Sequence, residues 1–172
     1  MIKITGGVLI FLGSVLLGFL YSSEVEKKLN TLYEIQRMLI MLKGEITYHK
    51  APVAEAFCEV SKHINIPLEG FLYHVGKELD QGIGKTVGQI WQERCDEELH
   101  RLVIAGEDKK NFREFGTCMG YLDIEMQIAS IELYSEKLNV RIKESERGIR
   151  EKQKIFRWLG IAGGAFLILL IA

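Results

Sequence analysis

Residues 81–91 read QGIGKTVGQIW, and Gly84-Lys85-Thr86 is the tripeptide that closes a phosphate-binding loop. Whether it does so here decides the fold. Such a loop follows a buried strand and is spaced G-x-x-x-x-G-K-[ST], so that backbone N–H groups wrap the phosphates while the lysine and hydroxyl reach phosphate and magnesium. Five residues before Gly84 stands Leu79, not glycine, and residues 71–79, FLYHVGKEL, place Phe71, Leu72, Val75 and Leu79 at helical steps. The same stretch makes a helix stop and a helix start. Gly82 and Gly84 suit the left-handed conformations that end a helix, and Thr86 with Gln89 forms a T-x-x-Q capping box ahead of Ile90 and Trp91. Helix–turn–helix is therefore expected, with no nucleotide at Lys85.

The rest of the middle of the chain follows this pattern. Leu32, Ile35, Leu39, Leu42 and Ile46 mark one face of a helix over about Glu24–His49. Pro52 disfavours the α region at Ala51 and suits the first turn of a helix bearing Val53, Phe57, Val60 and Ile64. Pro67 opens a third helix, a fourth is expected over Val87–Ala105, a fifth over Glu107–Met119 with Gly120 as its cap, and a long last helix from the N-cap Asp123. No alternating strand pattern competes, so the expected fold is all-α, a bundle of about six helices.

Both ends of the chain are different. Ile4–Leu20, ITGGVLIFLGSVLLGFL, and Trp158–Ala172, WLGIAGGAFLILLIA, carry no charge. Each suits a membrane span of about 20 apolar residues, the second if Ile155 and Phe156 join it and Arg157 snorkels. The expected domains are an N-terminal transmembrane helix (1–21), a central helical domain (22–154) and a C-terminal transmembrane helix (155–172). Lys27, Lys28, Arg147, Arg150, Lys152, Lys154 and Arg157 flank the spans on the inner side against Lys3 alone outside. The central domain is thus expected in the cytoplasm. Ser14-x-x-x-Gly18 and Gly160-x-x-x-Gly164 would let span backbones approach closely.

Charge and composition exclude several classes. Residues 141–157 hold seven basic and three acidic groups, leaving fifteen basic against twenty acidic over residues 1–140. A mildly acidic body with no concentrated basic face is not a nucleic-acid footprint. Cys58, Cys95 and Cys118 form no C-x-x-C, and Cys58 and Cys118 lie by apolar faces, where burial is expected. His49, His63, His74 and His100 fall in separate segments without metal-ligand spacing. No catalytic constellation, cofactor, metal or small-molecule substrate is expected. The polar run Glu45, Tyr48, His49 and Lys50 before Pro52 reads as a solvated helix end or a partner-docking surface.

Three stretches together carry a resemblance: EITYHKAPVAEAF (45–57), GKTVGQIWQE (84–93) and FREFGTCMGYLDIEMQ (112–127) ahead of the long last helix. In this order they resemble the stage III sporulation protein AB family of endospore-forming bacteria over essentially the whole chain. Phe115-Gly116, Gly120, Asp123 and Gln127 carry it most specifically, then Glu45, Ile46, Tyr48 and Pro52, with Trp91 in support. That family is similar to the F-type platform proteins of type II secretion and type IV pilus systems. The resemblance implies a non-enzymatic platform subunit of the channel joining mother cell and forespore, in the mother-cell membrane around the forespore. It implies a secretion-type ATPase and other membrane subunits as partners, with homo-oligomerisation one way to make up for a single domain. Glu45, Tyr48, His49, Lys50, Gly120, Asp123 and Gln127 are the expected partner-facing residues, and Pro52, Trp91, Phe115 and Gly116 structural ones. A membrane tether or sensor with a single cytoplasmic partner is the alternative.

Overall fold

A computed structural model of the chain describes residues 24–82, 84–120 and 123–171; residues 152, 153 and 156–171 are described as backbone alone. Every regular element among the described residues is helical. Helix α1 covers residues 24–44 and passes into a π-helical turn, Glu45–His49. Then follow α2 (Val53–Ser61), α3 (Leu68–Asp80), α4 (Val87–Glu98) with a 3-10 turn at Leu99–Arg101, α5 (Gly106–Cys118) and α6 (Ile124–Ile171). Residues 30–142 form one compact unit, and the described residues on either side of it, 24–29 and 143–171, belong to a second. Among the described residues no helix is long and apolar enough to cross a membrane. The expected span at 1–21 lies outside the described residues, and of that at 155–172 only helical backbone to Ile171 and the Ile155 side chain are described.

Within the 30–142 unit, polar contacts fix five of the six helices against antiparallel neighbours. Gln36 meets Asn139, and Lys43 Nζ lies 2.6 Å from Glu132, so α1 runs against α6. Arg141 Nε donates to Asp108 Oδ1 at 2.9 Å, joining α6 to α5. Arg113 pairs with Asp96 across α5 and α4, and Arg94 with Glu78 across α4 and α3. In this arrangement residues 30 and 142 lie at one end of the unit, and the π turn, the 81–86 turn and residue 123 at the other.

Trp91 occupies the centre. Its indole is fully buried, its Nε1 donates to the Phe112 carbonyl at 3.0 Å, and Phe57, Phe71, Phe112 and Phe115 surround it at centroid distances of 4.8–5.6 Å. Gly116 is the condition for this packing, since a Cβ there would fall inside the indole. Two other close approaches bring backbones together: a Cβ at Gly76 would meet Cys58 Sγ at 2.6 Å, and one at Gly88 would meet Thr117 Cα at 3.2 Å. Leu32, Ile35, Leu39 and Leu42 of α1, with Ile46 of the π turn, bury on the expected face.

The capping box forms as read: Thr86 Oγ1 accepts from Gln89 N at 3.3 Å, and Gln89 Oε1 accepts from Thr86 N at 2.8 Å. Gly82 and Gly84 take positive φ. The fourth helix stops earlier than the expected Ala105. Leu102 and Ile104 are buried while Val103 between them is exposed, and that alternation requires extended chain beyond the 3-10 turn. Cys95 is the buried cysteine, and Cys58 and Cys118 are only half-buried, correcting the expectation for both. Each sits at the margin of its helix's apolar stripe.

Trp91→Ala should cost about 3–5 kcal/mol, and Gly116→Ala at least the ~1–3 kcal/mol of overpacking, because the ring it strikes is walled in. Gly70→Ala, in helix α3 with open space around it, should instead stabilise by about 0.5–1 kcal/mol. Denaturant midpoints of the three variants check the ordering.

Candidate partner-docking surface

The end of the unit away from residues 30 and 142 carries most of the expected partner-facing residues. The π turn widens the end of α1, so that Ile46 points into the core while Tyr48 is 82 % exposed. Such i→i+5 turns are rare and recur at functional sites. Lys50 closes the turn at φ 50°, its N–H donating to the Glu45 carbonyl, which also accepts from Ala51 N at 3.2 Å. A left-handed lysine costs about 1 kcal/mol that glycine would not.

Glu45, His49, Lys50, Ala51, Pro52, Glu55 and Glu59 line a shallow cleft beside this turn. His49 Nδ1 lies 2.7 Å from Glu45 Oε2; the hydrogen bond and charge of Glu45 raise the His49 pKa above its ordinary 6.5. Glu59 is held by Lys62 at 2.5 Å and His63 at 3.6 Å. Pro52 stands as the N-cap residue of α2, one position ahead of the first turn that its fixed φ suits. Gly120 and Asp123 are exposed at the turn into α6, where Asp123 Oδ1 accepts from Glu125 N at 3.1 Å. Gln127 does not share that surface. It is only 7 % exposed and belongs to the packing of α6, one turn past the cap.

Lys85 pairs with Glu93 at 2.6 Å in the open. Burial pushes the Cys95 thiol up to about 12 and holds it protonated. Among the described residues no three His, Cys, Asp or Glu side chains are grouped to hold a metal ion. In the flanking unit Arg147, Arg150 and Lys154 are exposed, Arg150 lying 3.3 Å from Glu146, while the side chains of Lys152 and Arg157 lie outside the described residues.

One polar cluster was not foreseen. Glu98, 8 % exposed, accepts His74 Nδ1 at 2.8 Å and lies 3.7 Å from Arg94 and 3.8 Å from Arg101, while Arg94 also holds Glu97 at 2.8 Å and Glu78. Only the i, i+3 and i, i+4 spacings of Arg94, Glu97, Glu98 and Arg101 hint at it. The links to His74 and Glu78 arise from folding α3 onto α4.

A sequence profile described as Stage III sporulation protein AB matches residues 3–172. The chain belongs to the stage III sporulation protein AB family. Stage III sporulation protein AB of Bacillus subtilis (strain 168) is 22 % identical over 171 residues, covering 99 % of both chains. A solved structure of a stage III sporulation protein AB superposes with a TM-score of 0.65 at 18 % identity, covering 72 % of this chain and 97 % of that one. Membership of this family carries a role in sporulation, and the solved structure shares the helical-bundle fold.

The raised pKa of His49 fixes a sign. Its charged pair with Glu45 is complete below the ordinary histidine range and is lost as pH rises through the folded value. NMR titration should place His49 above 6.5, and Glu45→Gln should return it toward that value.

Proposed function

We propose that this protein is a non-enzymatic platform subunit of the channel complex between mother cell and forespore. It sits in the mother-cell membrane around the forespore through two spans, with the helical bundle in the cytoplasm, and joins the complex's secretion-type ATPase to its other membrane subunits. Family membership supports the sporulation setting, and seven basic residues against one around the two uncharged runs support the topology. The observation that carries the docking role is the exposed turn Glu45–Lys50, with Tyr48 outward and a left-handed Lys50, at the far end of the bundle from residues 30 and 142. The apolar runs lie beyond residues 30 and 142 in sequence, and the exposed turn is the surface this reading assigns to a cytoplasmic partner. No nucleotide, cofactor or metal enters this reading; the ATP chemistry belongs to another chain.

A photo-crosslinking residue at Tyr48 in sporulating cells should capture the ATPase, and one in the spans should capture membrane subunits. A single cytoplasmic partner and no membrane subunit would make the protein a tether, and ATP turnover by the purified chain would overturn the non-enzymatic reading. Lys50→Gly separates docking from folding. Relief of the left-handed strain should stabilise the chain by about 1 kcal/mol, while partner capture and spore yield fall. Glu45→Lys should likewise lower spore yield with the chain folded and inserted.

A further inference from the structure

In the 30–142 unit, α6 turns Gln127, Ile131, Tyr134, Leu138 and Ile142 into the core. With about 3.6 residues per turn, the face pointing directly away from that core carries Met126, Ala129, Leu133, Glu136 and Val140. Three of these are large, apolar and open to solvent: Met126 at 48 %, Leu133 at 58 % and Val140 at 54 %. They recur every seven residues, the interval at which one helix meets another along its length rather than at a point.

The flanking charges choose the occupant. With Met126, Leu133 and Val140 as the a positions of a heptad, Ala129 and Glu136 fall at d, Glu132 at g and Lys137 at e. Lys137 is exposed and makes no ion pair among the described residues. Against a second α6 in parallel register, a g residue faces the e residue five places on, and a d residue packs beside the facing e residue. Lys137 of the second copy would then lie between Glu132 and Glu136. Glu132 Oε1 is engaged by Lys43 at 2.6 Å, and the Glu132 side chain is still 57 % exposed. Antiparallel pairing centred on Leu133 puts Lys137 against Ala129 and offers no such match.

We infer that the outward face of α6, centred on Leu133, pairs in parallel with α6 of a second copy of this chain. The direction of pairing rests additionally on the platform reading, because two copies inserted in one membrane present their α6 helices in the same sense. Two heptads are short for a free-standing coiled coil, and Glu136 in the seam weakens it further. Confinement to a shared membrane supplies the effective concentration that the contact lacks in dilute solution.

The test is disulfide crosslinking of the full chain in membranes of the cells that make it, with single cysteines at Met126, Leu133 or Val140. The parent chain, whose own cysteines set the background, and Glu69→Cys and Glu93→Cys on other helices serve as controls. Oxidation should give a homodimer at 133 and at 140, where facing a positions come within disulfide reach, and none above background at 69 or 93. Adding Leu133→Glu to Val140→Cys should abolish the dimer, and Lys137→Glu should reduce it. Equal crosslinking at all sites, or none at 133 and 140, overturns the pairing. A crosslink between differently tagged Met126→Cys and Val140→Cys chains overturns its parallel sense. Fractionation of the same cells tests the platform reading separately: a chain absent from membranes sinks that reading, whereas a Leu133→Cys homodimer in the soluble fraction would still uphold the pairing.

Discussion

The indole of Trp91 lies against bare backbone at Gly116, and the rest of the bundle is arranged around that contact. The indole joins residues from α2, α3, α4 and α5: Phe57 and Phe71 on one side, Phe112 and Phe115 on the other, with Phe115 stacking onward to Tyr134 of α6 at 5.0 Å. A ring of this size needs a partner for its N–H when buried, and the Phe112 carbonyl provides it. The same aromatic column brings α5 close enough to α6 for Asp108 and Arg141 to meet. A charge as buried as Asp108 is tolerated only when paired, so packing and ion pair depend on each other. Burial, with the Asp108 charge nearby, raises the Tyr134 phenol pKa and keeps the end of the column neutral.

What could be read from the residues was what short-range chemistry dictates. The capping box at Thr86 and Gln89, the helix stop at Gly82 and Gly84, the core face of α1 and the break at Pro52 each depend on neighbours within one or two turns. What could not be read depends on distant partners or on competing periods. Leu99 and Leu102 are spaced as on a helix, yet Leu102 and Ile104 bury on one side of extended chain, and the two patterns share a residue. Gln127 carries a polar side chain at the first turn of α6, where exposure is the ordinary outcome, and only the closure of the bundle makes it a core position. Glu78 and His74 meet Arg94 and Glu98 because an antiparallel hairpin sums their positions, which no local spacing announces.

The candidate site was legible in the same uneven way. Glu45, Tyr48, His49 and Lys50 stood out as a polar run before a proline, and their common location follows from that adjacency. The widening of the helix to a π turn was not visible, yet it decides which of them face outward: Ile46 turns in, Tyr48 turns out and Lys50 is forced left-handed. Gly120 and Asp123 join them at the same end because α1 and α6 are antiparallel, a fact set by Gln36 with Asn139 and Lys43 with Glu132.

The distribution of polar contacts also bears on how a force applied to that end would travel. A load on the exposed turn enters the core through Ile46, whose side chain is 1 % exposed. From there the packed interior has no soft direction, since close-packed side chains transmit displacement rather than absorb it. The helices are strapped pairwise by Arg113–Asp96, Arg94–Glu78 and Arg141–Asp108 along their lengths. Two atoms in that set, Glu78 Oε2 and Arg94 Nε, are buried without a partner. Unmatched buried polar atoms cost stability, so the α3–α4 strap is the one whose rupture would be least opposed. If the bundle yields anywhere under load, the Arg94–Glu78 strap opens before the aromatic column, which holds α3 to α4 through Phe71 and Trp91, gives way.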